Sequence, residues 1–138
     1  MWKNKICMFI IIMSFYCDDR NVASGSFSFL VTGNVQGELY PKKMRRGSLG
    51  GVARRANYIN KVKDDISPII LDAGNLFIDN TNAKTLINCY NQIGYNAFNV
   101  GVEDLSNVDN INSIIKLANF PFISSNIYEK KSGKLAFK

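Results

Sequence analysis

The sequence contains no histidine. Histidine is the commonest general base, so its absence excludes every catalytic triad and every histidine-based zinc site from this chain. Cysteine is scarce too, with three residues that show no paired metal-ligand spacing. Two of them, Cys7 and Cys17, lie in or beside the N-terminal segment, and the third is Cys89. The cysteines therefore do not indicate a disulfide framework or a metal site.

The chain also lacks an apolar run long enough to span a bilayer. Its longest run, residues 6–16, follows Lys3 and Lys5 and matches the apolar core of a secretion signal, although a buried first strand or helix is an alternative. Cys17 directly after the run is similar to a bacterial lipoprotein processing site, but Ser14-Phe15-Tyr16 departs from the small residues expected before it. We predict an exported protein of a bacterium, periplasmic or anchored in the membrane as a lipoprotein through a lipid on Cys17. Residues 1–17 would then be the signal or lipoprotein-like segment, and 18–26 a polar linker.

At 138 residues with a net charge of +6, the chain fits one domain with a real core. The positive charges are spread, and the one dense group, Lys42-Lys43-Met44-Arg45-Arg46, is predicted to be a solvated loop. No aromatic side chain is interleaved there for base stacking, so we predict no nucleic-acid partner.

From residue 27 onward, short apolar runs alternate with segments of helical period, which predicts an α/β fold of βαβ units with a mainly parallel sheet flanked by helices. An N-cap pair, Ser106 and Asp109, is expected to start the last helix, and Gly94 is expected to end the second. One helix stripe is predicted to include Leu49, Val52, Ala56 and Ile59. The predicted strands are 27–32, 69–72, 97–100 and 120–125, and the predicted helices are 51–64, 83–93 and 107–118.

The last residues, 134–138, read as a strand in mid-course that follows a hairpin-type turn at Lys131-Ser132-Gly133. We therefore expect residues 27–138 to be an incomplete domain, either the first half of a larger protein or the product of a truncated gene.

In an open parallel sheet, ligands bind at the carboxyl ends of the strands, so the loops that follow the strands are the candidate site. Here they are residues 33–37, 73–75 and 101–104, each of which contains glycine. Glycines allow backbone to approach a ligand closely, although tight strand-to-helix turns alone would also use them. Neither the dinucleotide-binding glycine fingerprint nor a P-loop is present.

Together these loops resemble the calcineurin-like metallophosphoesterases, in particular their secreted 5′-nucleotidase branch. Five segments match the family's landmarks in order, between residues 27 and 128. They are Gly33-Asn34-Val35-Gln36-Gly37, Gly50-Gly51-Val52-Ala53-Arg54-Arg55, Leu71-Asp72-Ala73-Gly74-Asn75-Leu76-Phe77, Gly94-Tyr95-Asn96-Ala97 and residues 120–127. The resemblance implies the first half of a metallophosphoesterase sandwich and metal-dependent hydrolysis of phosphoesters such as nucleotides.

The resemblance also implies metal ligands, and every matching position is substituted. Where the family has Asp and His in the first turn, Asp in the second landmark, and Asn and His in the last loop, this chain has Asn34, Gln36, Asn75, Val102 and Glu103. Amide oxygens can still hold one hard cation weakly, so a single Mn, Zn or Ca ion at Asn34, Asn75 and Glu103 is one expectation, with Gln36 as the third substituted ligand position, and no cofactor is the other expectation.

Three functions follow from these residues. The first is a divergent metal-dependent phosphoesterase that acts on nucleotides or other small phosphoesters, with Glu103 as an unusual catalytic ligand or base. The second is a non-catalytic exported binding or structural protein. The third is a truncated remnant. The residues favour weakened or lost activity because the ligand positions carry so little charge.

Overall fold

The computed structural model describes residues 25–107 and 111–137, which form an α/β fold. Strands and helices alternate along most of the chain, as the hydrophobic pattern predicts. In chain order the elements are β1 Phe29–Thr32, β2 Lys42–Met44, β3 Gly47–Leu49, α1 Val52–Asp65, β4 Ile69–Asp72, α2 Ala83–Ile93, β5 Ala97–Asn99, α3 Val102–Asn107, α4 Ile111–Ile115 and β6 Phe122–Ile123.

Strands β1, β4, β5 and β6 form one four-stranded sheet in that order. Each pairing in this sheet is parallel, with Phe29 beside Ile69 and Thr32 beside Asp72 in the longest one. The predicted fold class, a mainly parallel sheet flanked by helices, is confirmed. Because these strands run in the same direction, the carboxyl ends of β1, β4 and β5 meet at one edge.

One face of the sheet packs against helices α1 and α2. Ile59 of α1 and Leu86, Ile87 and Tyr90 of α2 are fully buried there. Helix α2 ends at Gly94, whose φ of 82° and ψ of 50° are left-handed, and the Gly94 N–H donates to the Tyr90 carbonyl. This is the stop predicted from the sequence, because glycine adopts this conformation without a Cβ clash.

Among residues 25–107 and 111–137, little packs on the other face of the sheet. Phe29 and Val31 are each 61% exposed, and Ile69 and Ile123 are each 38% exposed. Side chains alternate across a strand, so these residues lie opposite the buried ones. Parallel sheets normally have both faces covered. We call this surface the open face; it consists of Phe29, Val31, Ile69, Leu71 and Ile123.

Two local predictions are wrong. The basic segment is a β-hairpin rather than a loop: β2 and β3 pair antiparallel, and Arg45 and Arg46 form the connection. Leu49 belongs to this hairpin and is 65% exposed, so it is not part of the α1 stripe. Alternation in a segment this short and this charged gives too weak a signal to identify strands.

The predicted helix at 107–118 is present in part, as α4 at Ile111–Ile115, and residues 108–110 lie outside the described residues. Helix α3 begins earlier, at Val102, and Ser106 lies inside it with its hydroxyl donating to the Val102 carbonyl. Ser106 is therefore not an N-cap, while Asp109 lies outside the described residues. Near the end of the chain, the predicted turn is present because the Glu129 N–H donates to the Lys134 carbonyl. Only a single bridge, Tyr128 to Leu135, stands where a strand was predicted.

Within residues 25–107 and 111–137, no helix is both long enough and apolar enough to cross a membrane. The apolar run at 6–16 and Cys17 lie outside the described residues.

Candidate functional site

The loops after β1 and β4 are joined by backbone hydrogen bonds at the carboxyl edge of the sheet. The Asn34 N–H donates to the Gly74 carbonyl over 2.8 Å, and the Gln36 N–H donates to the Asn75 carbonyl over 3.0 Å. These bonds continue the β1–β4 pairing beyond the ends of the strands. The structure therefore brings Asn34, Gln36 and Asn75, three of the sequence-predicted site residues, onto one connected pair of loops.

These three residues share an uncommon backbone conformation. Asn34, Gln36 and Asn75 have φ values of 54°, 50° and 58°, which are left-handed. Asparagine tolerates the left-handed region better than most residues, because its short side chain can form local hydrogen bonds. Glutamine does not share this tolerance. Non-glycine residues held there cost about 1–3 kcal/mol each and cluster at functional sites. The loops thus keep a strained shape at the positions where the resemblance expects metal ligands.

Asp104 joins the third loop to the second. Its Oδ2 accepts hydrogen bonds from the Asn75 and Gly101 N–H groups at 2.9 and 2.8 Å. Its Oδ1 accepts from the Leu76 and Phe77 N–H groups at 2.8 and 3.0 Å. Burial raises the pKa of the Asp104 carboxyl above its ordinary value, and these four backbone donors oppose the rise by favouring the carboxylate. Asp104 is fully buried and fixes two loops at once.

The sequence analysis did not single out Asp104, although a signal was present. Gly101 precedes helix α3, and Asp104 is the third residue of that helix. An acidic residue at this position commonly accepts the N–H of the residue that caps the helix, and this is the Gly101 bond. Its reach to the β4 loop is a tertiary contact that local pattern cannot predict.

Asn75 is pressed against Gly101. The Asn75 Oδ1 is buried and has no hydrogen-bond partner among the described residues. A Cβ added to Gly101 would lie 2.2 Å from this oxygen and 3.0 Å from the Asn75 N. The amide oxygen therefore faces backbone rather than an open space in which a cation could approach it.

This close approach leads to a stability prediction. Gly101→Ala is expected to destabilise the fold by about 1–3 kcal/mol, because the new methyl group overlaps an asparagine whose N–H is held by Asp104. Urea unfolding followed by circular dichroism measures the loss. The matched control is Gly25→Ala, where a Cβ would meet no atom within 4 Å and the change should be within about 0.5 kcal/mol. Equal stability of the two variants would contradict the tight contact.

Asp72, at the end of β4, lies in a second network under the sheet. It is 2% exposed, and its Oδ2 accepts hydrogen bonds from the Thr32 hydroxyl at 2.6 Å and the Tyr90 hydroxyl at 2.8 Å. Its Oδ1 accepts from the Gly74 N–H, and Arg55 donates to the Tyr90 hydroxyl at 2.8 Å. Burial, and then the negative charge of Asp72, raise the pKa of Tyr90, so the tyrosine stays protonated and donates. Both oxygens of the Asp72 carboxylate are therefore engaged in hydrogen bonds within the fold.

The third loop carries the remaining predicted positions. Glu103 is partly exposed in the first turn of α3, and Val102 is 74% exposed and offers no ligand atom. A cleft of about 340 Å³ borders this loop and is lined by Gly101, Val102, Leu105 and Asn126, among others. Among the described residues, no hydrogen bond joins the Glu103 side chain to Asn34, Gln36 or Asn75.

The α/β fold and its three strand-end loops are similar to those of the metallophosphoesterases. No protein-family model matches the chain. Snake venom 5′-nucleotidase from Gloydius brevicauda is 29% identical to it, over 85% of this chain and 23% of the relative. Haemophilus influenzae NAD nucleotidase superimposes with a TM-score of 0.63 at 19% identity, over 78% of this chain and 24% of that one.

These matches confirm the resemblance to the N-terminal half of a 5′-nucleotidase-like metallophosphoesterase. The chain spans about a quarter of the length of either relative. At 19% identity, the structural neighbour supports the fold alone.

The residues present do not fit the paired metal ions that the resemblance implies. The five matching positions are three amides, one valine and one glutamate. Across residues 25–107 and 111–137, no group of three or more His, Cys, Asp and Glu side chains could hold a metal ion. The two buried carboxylates nearest the loops, Asp72 and Asp104, already accept hydrogen bonds from the protein. The donor set therefore lacks the negative charge that two dications need.

Proposed function

We propose that this chain is an exported 5′-nucleotidase-like protein in which metal-dependent phosphoester hydrolysis is weakened or lost. The retained loops would then act as a binding or structural module, and a small nucleotide or phosphoester is the ligand class that the relatives suggest. Both relatives are nucleotidases by name, and one is a venom protein, which supports nucleotide chemistry and export. A lipid on Cys17 remains part of the proposal, as does the view that residues 27–138 are an incomplete domain.

One observation carries this proposal: each position that the resemblance matches to a metal ligand holds a different residue, while hydrogen bonds join the loops that contain Asn34, Gln36 and Asn75 at the strand ends. Two dications about 3.7 Å apart repel by about 18 kcal/mol at an effective dielectric of about 20, and bridging carboxylates offset that repulsion. Asn75 supplies no charge at the bridging position, and its oxygen is buried against Gly101. The backbone at Asn34, Gln36 and Asn75 is left-handed, a conformation that non-glycine residues adopt mainly at functional sites, which supports a binding role for these loops.

A second candidate, a divergent enzyme, rests on Glu103. This carboxylate is partly exposed and follows Val102, which lines a cleft, and no hydrogen bond or ion pair engages it among the described residues. Asp104, the other acidic residue of this loop, accepts four backbone hydrogen bonds. On this hypothesis Glu103 would act as a base or as a ligand for one ion.

An activity assay separates the two candidates. Purified protein is expected to show no manganese- or zinc-dependent hydrolysis of AMP or of a generic phosphodiester, and no stoichiometric metal by elemental analysis. Glu103→Gln should then change neither result, with Glu129→Gln, on the exposed turn near the end of the chain, as its control. Turnover that disappears in Glu103→Gln but survives in Glu129→Gln would establish the enzyme and overturn the proposal.

A further inference from the structure

The β2–β3 hairpin projects an unusual concentration of positive charge. Residues 39–63 contain eight Lys and Arg and no Asp or Glu. Four of these cations, Lys42, Lys43, Arg45 and Arg46, lie in the hairpin and are exposed. Lys42 pairs with Glu38, while no acidic side chain within residues 25–107 and 111–137 pairs with the other three. We call Lys42, Lys43, Arg45 and Arg46 the basic tip.

The hairpin is held rigidly at its base. The Val52 N–H donates to the Leu39 carbonyl over 3.1 Å, which closes the hairpin onto the start of α1. Gly51 lies so close to Pro41 that an added Cβ would be 2.8 Å from the proline nitrogen. Arg54 of α1 binds the hairpin through Ser48, donating to its carbonyl and, at 2.7 Å, to its hydroxyl.

These contacts fix which face of the hairpin meets solvent. Lys42 lies opposite Leu49 and Met44 opposite Gly47, so Lys42, Met44 and Leu49 share one face. Ser48 lies on the other face, where Arg54 binds it. The face with Met44 and Leu49 therefore points away from α1, and these side chains are 54% and 65% exposed. Tyr40, just before β2, is 80% exposed.

We propose that this hairpin binds the surface of an anionic lipid bilayer. The basic tip would lie among the lipid headgroups, while Met44 and Leu49 enter the boundary with the acyl chains. Basic residues beside exposed apolar ones are the pattern of membrane-surface segments. A soluble polyanion such as a nucleic acid would use the charges but would gain nothing from Met44 and Leu49. The proposal is independent of the candidate site and goes beyond the proposed function.

The expected strength follows from the charge. Each Lys or Arg near an anionic bilayer strengthens binding by about fivefold. At 0.1 M salt, the attraction is largely screened for charges more than about 10 Å from the bilayer surface. Lys42 is already paired with Glu38, so the other three cations determine the loss, and removing all four should weaken binding by about a hundredfold at low salt. Removing the two apolar side chains should weaken it by about tenfold, since each leaves only part of its surface in the bilayer.

The test measures binding of the full chain to vesicles of mixed phosphatidylglycerol and phosphatidylcholine, and to vesicles of phosphatidylcholine alone. Taking the ratio of the two affinities removes the contribution of the apolar N-terminal run, which does not distinguish the headgroups. The hairpin variant replaces Lys42, Lys43, Arg45 and Arg46 with Gln. The control replaces four exposed lysines elsewhere with Gln, which changes the net charge equally; they are Lys61, Lys84, Lys130 and Lys131.

In the hairpin variant, the ratio of the affinity for anionic vesicles to that for phosphatidylcholine vesicles should fall by about a hundredfold. In the control it should fall by less than about threefold. Thermal unfolding of each variant confirms that the fold is intact. An equal loss in both variants, or no loss in the hairpin variant, would overturn the proposal.

The double variant Met44→Ser, Leu49→Ser should weaken vesicle binding but leave binding to a single-stranded oligonucleotide unchanged. If it leaves vesicle binding unchanged while the oligonucleotide binds more tightly than the vesicles, the hairpin is a polyanion site and the lipid proposal is wrong.

Discussion

Asp104→Ala is expected to lower the free energy of unfolding by about 3–5 kcal/mol, a large share of the total of about 5–15 kcal/mol typical of a domain. The substitution removes the acceptor of four backbone N–H groups, on Asn75, Leu76, Phe77 and Gly101. Two of these donors are in fully or nearly fully buried residues, Leu76 and Phe77, so water cannot easily replace the carboxylate. Urea unfolding followed by circular dichroism measures the change.

Asp79→Ala is the matched control. Asp79 is exposed, and the only bond recorded for its carboxylate within the described chain is from the Thr81 N–H at 2.7 Å. Its removal should cost less than about 1 kcal/mol. If Asp104→Ala costs no more than Asp79→Ala, the carboxylate does not hold the two loops together.

Restoring the family's ligands is expected to raise manganese affinity by about a hundredfold or more. The variant combines Asn34→Asp, Gln36→His and Asn75→Asp, which returns two anionic groups and one imidazole. At residue 75 the ligand would be the carboxylate oxygen that replaces the amide nitrogen, since the position of Oδ1 is buried against Gly101. Asp and His are both enriched among residues with left-handed backbone, so φ values of 54°, 50° and 58° accommodate them. Titration calorimetry with Mn²⁺ measures the affinity.

The control for this gain makes the same three chemical changes on three different helices: Asn57→Asp on α1, Gln92→His on α2 and Asn112→Asp on α4. All three positions are exposed. This control should leave metal affinity within about threefold of the unaltered chain, because its new groups do not converge. Equal gains in both variants would mean that the loops do not provide a preformed site. Hydrolysis need not return in either case, since Val102 and Glu103 still lack the family's groups.

Elements with a strong periodic pattern were predictable. Helix α2 was predicted as 83–93 and is Ala83–Ile93, because a stripe of apolar side chains and a glycine stop define both its face and its end. Strand β4 was predicted as 69–72 and is Ile69–Asp72, a short apolar run before a loop. In these segments the local pattern and the tertiary packing favour the same structure.

Contacts between distant residues were not predictable from the pattern. The ring of Tyr90 is buried with the apolar side chains of α2, which the helical period predicts, yet its hydroxyl also donates to Asp72, which the period does not. Asp104 accepts from residues 27 to 29 positions away, which only the folded chain brings near. The resemblance located Asn34, Gln36 and Asn75, but not the burial of the Asn75 oxygen against Gly101.

The open face has a thermodynamic consequence. Unfolding raises the heat capacity in proportion to the apolar surface newly exposed to water, by about 12–15 cal/mol/K per residue in an ordinary globular protein. Phe29 and Val31 already expose 61% of their surface in the folded chain, so they add little to that increase. The heat-capacity change per residue should therefore fall below the ordinary range, and the curve of stability against temperature should be correspondingly flat. The denaturant dependence of unfolding should be shallow for the same reason, since both quantities follow the area exposed on unfolding.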